Sequence, residues 1–219
     1  MTDSTPEELA EKLWFPRYFD DPRSDGGIAD GLGIDNRLAI KELGRQAFVE
    51  GDADGFLWSV PNKYAMQMVE GNVLPLLRRG IYEKALVHAI TDTRTNNRHL
   101  PLTLFRDLFR LADRAKLLAA GDPLPGSGPF TLYRGVAGKT ERARRVRGIS
   151  WTGTLATAAW FADRGWGLAN PEVYKCVLDA KHALAYVNDR QEDEYIVLLP
   201  RSATVERVAL PLPEPKEAA

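Results

Sequence analysis

The sequence has little of what metal-binding and disulfide-rich proteins require. Among its 219 residues there is one cysteine, Cys176, and there are three histidines, His88, His99 and His182. A single cysteine excludes an internal disulfide and a cysteine-based metal cluster, and it suits a reducing cytoplasm. The histidines do not have the short spacing of zinc ligands. We therefore expect no bound metal ion and a cytoplasmic location.

The chain also has no excess charge of one sign and no long apolar run. Lys and Arg number 29 against 30 Asp and Glu, so the net charge is −1. This balance excludes a disordered chain and a protein that binds nucleic acid over its whole length. No apolar run approaches the roughly 18 residues of a membrane span, and residues 1–4 lack the features of a signal peptide. We predict a globular protein without a membrane partner.

Familiar nucleotide-binding and hydrolase motifs are absent as well. The sequence contains no Walker-type loop, no Gly-x-Gly-x-x-Gly turn and no nucleophile elbow. If the protein binds a dinucleotide, it does so at a site other than a P-loop or a Rossmann fold.

Residues 1–120 have the apolar spacing of helices. One helix is predicted to begin at an N-cap, Asp35, and to end before Gly51. Gly71 and Pro75 should break or kink a second helical stretch, and residues 103–120 carry the clearest amphipathic stripe. These patterns predict a helical N-terminal region.

The character of the chain changes after residue 120. Residues 121–129 are dense in glycine and proline, which indicates a boundary. A helix capped by Thr154 is predicted over residues 154–163. Short runs rich in Val, Ile, Tyr and Leu predict strands at 130–136, 173–178, 183–187, 194–199 and 204–210. The fold class is therefore α+β, with a helical region over 1–120 and an α/β region over 121–219.

Three short stretches of the second region carry candidate chemistry. In the first strand, alternation places Arg134 on the apolar face of Leu132, where a guanidinium needs a carboxylate, a phosphate or several acceptors. An internal salt bridge or an exposed strand end would also explain an arginine at this position. Ser150 and Thr152 would share a side, where two hydroxyls can bind a carboxylate or a sugar; alternatively, they cap the next helix.

Two carboxylates form the third stretch. Glu192 and Glu194 would share one face of an extended strand, within about 7 Å of each other, so they need cations, hydroxyls or a catalytic use. The alternative is a solvated strand edge whose charges discourage aggregation.

Together, Leu132-Tyr133-Arg134-Gly135, Ser150-Trp151-Thr152 and Glu192-Asp193-Glu194 resemble the Arg, Ser-x-Ser/Thr and Glu-x-Glu motifs of mono-ADP-ribosyltransferases of the Arg-Ser-Glu class. This family includes bacterial toxins, phage enzymes and ectoenzymes. The resemblance covers about residues 130–210 and includes the helix of small residues that ends in Phe161-Ala162. It implies an ADP-ribosyltransferase-like core of two small packed β-sheets with flanking helices, and NAD as co-substrate.

The resemblance also implies roles for individual residues. Glu194 would stabilise the ribosyl cation and bind the ribose 2′-hydroxyl, and Glu192 would orient or deprotonate the acceptor. Tyr186 and Arg190 would recognise that acceptor. The residues expected to bind NAD are Arg134, Ser150, Thr152, Tyr133, Gly135, Phe161, Arg164 and Trp166.

Two questions stay open at the level of sequence. Tyr195 and Ile196 lengthen the interval between Glu194 and Pro200 relative to the family pattern, which leaves open which glutamate is in the catalytic register. The acceptor is open too, because Glu192 favours a protein arginine, whereas a basic segment favours DNA or RNA. That segment, residues 139–147, contains Lys139, Arg142, Arg144, Arg145 and Arg147, and it also fits a solvated loop.

The leading hypothesis is an NAD-dependent mono-ADP-ribosyltransferase, of the kind used as a toxin, an effector or a phage-conflict enzyme, with a macromolecular acceptor and a neutralising partner. An NAD glycohydrolase, with water as acceptor, is a related alternative. A further alternative is a non-enzymatic module of the same fold that binds NAD or a partner protein.

Overall fold

The computed structural model describes residues 4–20, 34–91, 100–140, 144–163 and 169–209. The chain divides into two compact units, Met1–Gly121 and Asp122–Ala219, so the boundary lies one residue from the predicted one. His99, Arg142, Arg164 and Trp166 lie outside the described residues.

The described part of the first unit is built from helices. They are α1 (Pro6–Ala10), α2 (Ile34–Glu50), α3 (Ala53–Trp58), α4 (Ala65–Gly71), α5 (Val73–Arg79), α6 (Tyr82–Thr91), α7 (Leu102–Leu111) and α8 (Arg114–Ala119). None of the described helices is both long enough and apolar enough to cross a membrane.

Helix α2 tests two predicted boundaries. The predicted N-cap at Asp35 is wrong, because the helix already includes Ile34. The predicted end is confirmed: α2 ends at Glu50, and Gly51 follows with φ of +82°, the left-handed conformation that glycine adopts most easily.

The predicted break at Gly71 is confirmed, because α4 ends there and Asn72 separates it from α5, whereas Pro75 does not break the helix. Pro75 is the third residue of α5. It is tolerated there because an N–H in the first turn has no acceptor within the helix.

The single helix predicted over residues 103–120 is instead two helices, α7 and α8. Asp113 separates them, because its carboxylate accepts the backbone N–H groups of Ala115 at 2.8 Å and Lys116 at 3.1 Å. Its own N–H donates to Glu83 on α6 at 2.9 Å. A capping aspartate with a partner in another helix therefore outweighs the continuous apolar stripe.

The described part of the second unit contains a sheet and a helix that packs on it. Its elements are β1 (Phe130–Val136), β2 (Ser150–Thr152), α9 (Leu155–Asp163), β3 (Glu172–Leu178), β4 (Ala183–Val187), β5 (Glu194–Val197) and β6 (Glu206–Val208). Thr154 caps α9 by accepting the N–H of Thr157 at 3.4 Å, as predicted.

The described strands form one antiparallel sheet in the order β4-β5-β2-β1-β3-β6, so the expectation of two packed sheets is wrong. The junction between β1 and β2 is narrow, because only Tyr133 and Thr152 are paired across it. All three residues of the short β2 pair with β5. Two three-stranded halves therefore meet at a single pair of residues.

The two faces of β1 pack differently, as alternation predicts. Leu132 belongs to a core cluster with Trp151, whereas Tyr133 packs on the opposite side against residues of α9. A Cβ atom on Gly135 would lie 1.9 Å from the carbonyl oxygen of Ala158 in α9. The backbone of α9 therefore contacts β1 directly at this glycine. Because α9 follows β2 in the chain, this contact also fixes the position of the end of β2.

Candidate active site

The strand order brings the three motifs of the second unit side by side. Strand β2 lies between β1 and β5, so that Thr152 is paired with Tyr133 on one side and with Glu194 on the other. This adjacency depends on long-range pairing that the sequence pattern does not specify.

Glu194 is the centre of the site. Its side chain is 12% exposed, and its Oε1 accepts a hydrogen bond of 2.5 Å from the Ser150 hydroxyl. Burial raises the pKa of Glu194 to about 7; the Ser150 hydrogen bond and the charges of Arg190 and Arg134 oppose this rise, and the charge of Glu192 adds to it. Glu194 therefore changes its charge near neutral pH in a largely enclosed position.

Glu192 meets Glu194 through a shared cation. The Nη2 atom of Arg190 lies 3.1 Å from Glu192 Oε2 and 3.9 Å from Glu194 Oε2. The predicted extended strand is wrong over this stretch, because β5 begins only at Glu194 and Asp193 has φ of +50°. A turn, with Arg190 between the carboxylates, brings the two side chains together.

Asp193 and Asn188 shape this turn, and neither was among the predicted site residues. Asp193 Oδ1 accepts from the Tyr186 hydroxyl at 2.7 Å, and its N–H donates to Asn188 Oδ1 at 3.0 Å. Its carbonyl accepts from the N–H of Gly153 at 2.9 Å. The sequence signal was the run of Asn, Asp and Gln before Glu194, residue types that favour turns, and Asn and Asp also tolerate positive φ.

The two hydroxyls of the second motif have separate tasks. Ser150 binds the carboxylate of Glu194, whereas the buried Thr152 donates to the carbonyl oxygen of Glu192 at 2.6 Å. Thr152 also accepts the N–H of Thr154 at 3.2 Å. Ser150 thus orients a side chain, and Thr152 fixes the backbone of the turn.

The Arg134 guanidinium donates to several acceptors. This is one of the arrangements predicted for an arginine on an apolar strand face. Its Nε donates to the carbonyl of Arg145 at 3.2 Å, and its Nη1 donates to the carbonyl of Ser150. The guanidinium lies against Gly148, where a Cβ atom would come within 2.5 Å of Nη2. Arg134 therefore ties the segment before β2 to β1, and its charge also lowers the pKa of Glu194.

The three other predicted NAD-binding residues that the structure describes lie around α9. Tyr133 packs against the helix, and Gly135 is covered by its backbone. Phe161 lies on the outer side of α9, 38% exposed, with its ring 5.0 Å from that of Trp160. Tyr133 and Gly135 thus support the site, and Phe161 is the one of the three that faces solvent.

The two predicted acceptor-recognising residues differ in exposure. Tyr186 is buried, its ring lies 4.8 Å from that of Tyr195, and burial raises the pKa of its phenol. Because the Tyr186 hydroxyl already donates to Asp193, the structure does not favour a direct contact between Tyr186 and a macromolecular acceptor. Arg190 is 44% exposed.

Two arginines of the basic segment 139–147 are bound within the protein, whereas Lys139 is exposed. Arg144 Nη1 lies 2.7 Å from Glu172 Oε2, and Arg147 donates to the carbonyls of Pro200 at 2.6 Å and Ala203 at 3.1 Å. The hydrogen bond from the Tyr174 hydroxyl lowers the pKa of Glu172, and the charges of the neighbouring arginines lower it further. These two arginines support the fold, which weakens the argument for nucleic acid.

The described histidines belong to other elements than the site residues. His88 Nδ1 is 2.9 Å from Asp54 Oδ1 in the first unit, and His182 ends a 3-10 turn in the second. Within the described ranges, no group of three or more His, Cys, Asp or Glu side chains could hold a metal ion.

The chain matches no protein-family model, no curated protein and no solved structure. Its function therefore has to follow from the chemistry of the site around Glu194.

Proposed function

We propose that the protein is an NAD-dependent mono-ADP-ribosyltransferase with an ADP-ribosyltransferase-like second unit. The observation that carries the proposal is the enclosed Glu194 carboxylate, held by the Ser150 hydroxyl beside Arg134 and Glu192. The adjacency of the three motif strands, in the order β5-β2-β1, also supports the proposal.

The chemistry needs a fixed negative charge in a poorly hydrated place. When nicotinamide leaves NAD, positive charge develops at the anomeric carbon of the ribose. A carboxylate about 4 Å away contributes roughly 4 kcal/mol at an effective dielectric constant near 20. Glu194 supplies this charge, and the Ser150 hydrogen bond holds the carboxylate in one orientation. Burial strengthens the interaction because little water screens it.

In this proposal Glu192 acts on the acceptor. It already holds the guanidinium of Arg190 at 3.1 Å, which supports the proposal that an arginine of another protein is accommodated beside it. As a general base, Glu192 would contribute on the order of 10² to 10⁴ in rate. Arg144 and Arg147 are engaged within the protein, so we favour a protein arginine over DNA or RNA as acceptor.

Nicotinamide release from NAD tests the proposal. Glu194→Gln keeps the size of the side chain and an acceptor for Ser150 but removes the charge. We expect at least a 10²-fold lower rate, on the scale of lost transition-state stabilisation. Glu206→Gln is the matched control, since Glu206 is 62% exposed on β6 and pairs with Lys175 at 3.7 Å; this variant should match the wild type.

The products decide between the transferase and its alternatives. Labelled NAD, supplied with protein and nucleic-acid acceptors, should give labelled protein. Release of nicotinamide with free ADP-ribose as the final product would indicate an NAD glycohydrolase. If the wild type releases no more nicotinamide than Glu194→Gln, the protein is not an enzyme of this kind.

A further inference from the structure

Asp122 connects the first residue of the second unit to the turn that carries Glu192. Its Oδ2 accepts the N–H of Asn188, 66 positions away, at 2.8 Å. Its own N–H donates to the carbonyl of Tyr186 at 2.7 Å. Asp122 is partly exposed and belongs to none of the three motifs. Its two hydrogen bonds fix the end of β4 and the start of the turn, residues 188–193, relative to each other.

The backbone of this turn needs such restraints. Gln191 and Asp193 both have positive φ, of +57° and +50°. Residues other than glycine seldom adopt this conformation, and they keep it where the surroundings hold it. Asn188 supplies two of the restraints, because its carbonyl accepts the N–H of Gln191 at 2.9 Å and its Oδ1 accepts the N–H of Asp193 at 3.0 Å. A group that fixes Asn188 therefore fixes the backbone on both sides of Glu192.

Glu192 depends on the turn more than Glu194 does. Glu194 is the first residue of β5, which is paired with β2, and its carboxylate accepts a hydrogen bond from Ser150. Glu192 lies before the strand, and its carboxylate meets the guanidinium of Arg190, which belongs to the same turn. Loss of the Asp122 hydrogen bond should therefore displace Glu192, while the sheet keeps Glu194 in place.

We propose that Asp122 is a positioning residue for the transfer step, and that it keeps Glu192 in place to act on the acceptor by holding Asn188. This inference rests on the proposed function. A general base must lie within hydrogen-bonding distance of the proton it removes, and a displacement of about 1 Å can lower a rate by about 10²-fold. Asp122 itself touches neither NAD nor the acceptor, so it acts through the geometry of the turn.

A purely structural role for Asp122 predicts a different result. Loss of a hydrogen bond that only supported the fold would slow NAD cleavage and ADP-ribose transfer alike. A positioning role slows transfer to arginine, but it leaves the KM for NAD and the cleavage of NAD with water as acceptor nearly unchanged. The task belongs to the hydrogen bond and not to the negative charge, since Asp122 accepts from a backbone N–H.

Initial rates of nicotinamide release and of transfer from labelled NAD to poly-L-arginine test the inference on the full chain. Asp122→Ala should lower kcat for transfer about tenfold or more, because Glu192 is displaced. It should change the KM for NAD and the cleavage with water by less than about twofold. Asp122→Asn keeps an Oδ1 acceptor for the N–H of Asn188, so it should restore transfer to within about twofold of the wild type.

Two further substitutions serve as controls. Asp179→Ala removes an exposed aspartate of the same unit, 3.1 Å from Lys181, and should change neither reaction. Asn188→Ala removes the next link to Asp193 and should reproduce the slow transfer of Asp122→Ala. Because both residues act through one chain of hydrogen bonds, the double variant should be about as slow as the slower single variant.

The outcomes separate the inference from the proposed function. If Asp122→Ala slows cleavage and transfer equally, or slows neither, the inference is overturned while the proposed activity stands. It is also overturned if the two single losses multiply in the double variant, or if Asp122→Asn transfers as slowly as Asp122→Ala. A wild type that cleaves NAD without labelling poly-L-arginine overturns the inference. If the wild type neither releases nicotinamide nor labels the acceptor, the inference and the proposed function are both overturned.

Discussion

Glu194 is held between opposing influences. Burial disfavours its charged form, whereas the Ser150 hydroxyl and the charges of Arg190 and Arg134 favour it, and the resulting pKa is about 7. Such a group is partly ionised at neutral pH, and it loses its negative charge on mild acidification. The activity and the stability of the protein should both depend on this one group.

The rate of nicotinamide release should rise with pH. In the proposed reaction only the ionised form of Glu194 would stabilise the ribosyl cation, so kcat/KM should increase about tenfold per pH unit on the acid side and level off above about 7. Ser150→Ala removes a hydrogen bond that lowers the pKa, and it should move the midpoint to higher pH. Ser202→Ala, in an exposed turn, should not. Initial rates between pH 5 and 9 measure this, and a flat profile would refute it.

Glu194→Gln should make the protein more stable at alkaline pH. The pKa of Glu194 is raised from 4.5 to about 7 on folding, so the stability that its protonated form contributes is complete below 4.5 and is lost as pH rises through 7. The difference corresponds to about 3 kcal/mol. Glutamine stays neutral, so the variant should gain up to this amount at pH 8.

Urea unfolding at pH 8 and near pH 4 checks the stability prediction. The gain of Glu194→Gln should be present at pH 8 and absent near pH 4. Glu206→Gln should change the free energy of unfolding by less than about 0.5 kcal/mol at either pH, since Glu206 is exposed. A Glu194→Gln variant that is less stable than the wild type at pH 8 would contradict the assigned burial.

At the level of elements, the contact between α9 and β1 positions the second motif. Helix α9 begins directly after β2, so any shift of the helix is transmitted to Thr152. The close approach at Gly135 leaves no room for a methyl group, which would lie 1.9 Å from the carbonyl of Ala158. The hydroxyls of the site therefore depend on a glycine in another strand.

Gly135→Ala should destabilise the protein by about 1–3 kcal/mol or more, as overpacking of a tight contact does. It should also slow nicotinamide release, because α9 must move. Thr131→Ala, at an exposed position of the same strand, is the matched control and should change stability by less than about 0.5 kcal/mol. Thermal unfolding of the two variants tests the contact, and equal stabilities would show that α9 is not held at Gly135.

Some elements follow from the sequence, and others depend on distant partners. The bounds of β1 and β4 agree with the prediction, because their apolar and aromatic runs fit a half-buried pleated strand. The division between α7 and α8 was missed because Asp113 finds its partner Glu83 30 positions away. The place of β2 between β1 and β5 could not be predicted, since strand pairing is not local.

At the level of the whole molecule, all described residues of the candidate site belong to the second unit. The sequence indicated the chemical groups of that site but not their geometry. The convergence of Glu192 and Glu194 on Arg190 could not be predicted, because the positive φ of Asp193 replaces the expected strand. The basic segment suggested binding of nucleic acid because the sequence did not reveal which groups accept hydrogen bonds from Arg147. These groups are carbonyls near residue 200, more than 50 positions away.

We propose that Glu194 stabilises the ribosyl cation, while Glu192 acts on the acceptor. The contacts of Glu194 with Ser150, and of Glu192 with Arg190, support this division. Under this proposal Glu194 occupies the catalytic register that the lengthened interval before Pro200 left open.

The most direct test measures nicotinamide release and ADP-ribose transfer at pH 8 for Glu194→Gln and Glu192→Gln side by side. We expect Glu194→Gln to slow both reactions by 10²-fold or more. We expect Glu192→Gln to lose transfer to arginine while NAD cleavage with water as acceptor persists. Loss of NAD cleavage in Glu192→Gln, with full cleavage in Glu194→Gln, would contradict this proposal.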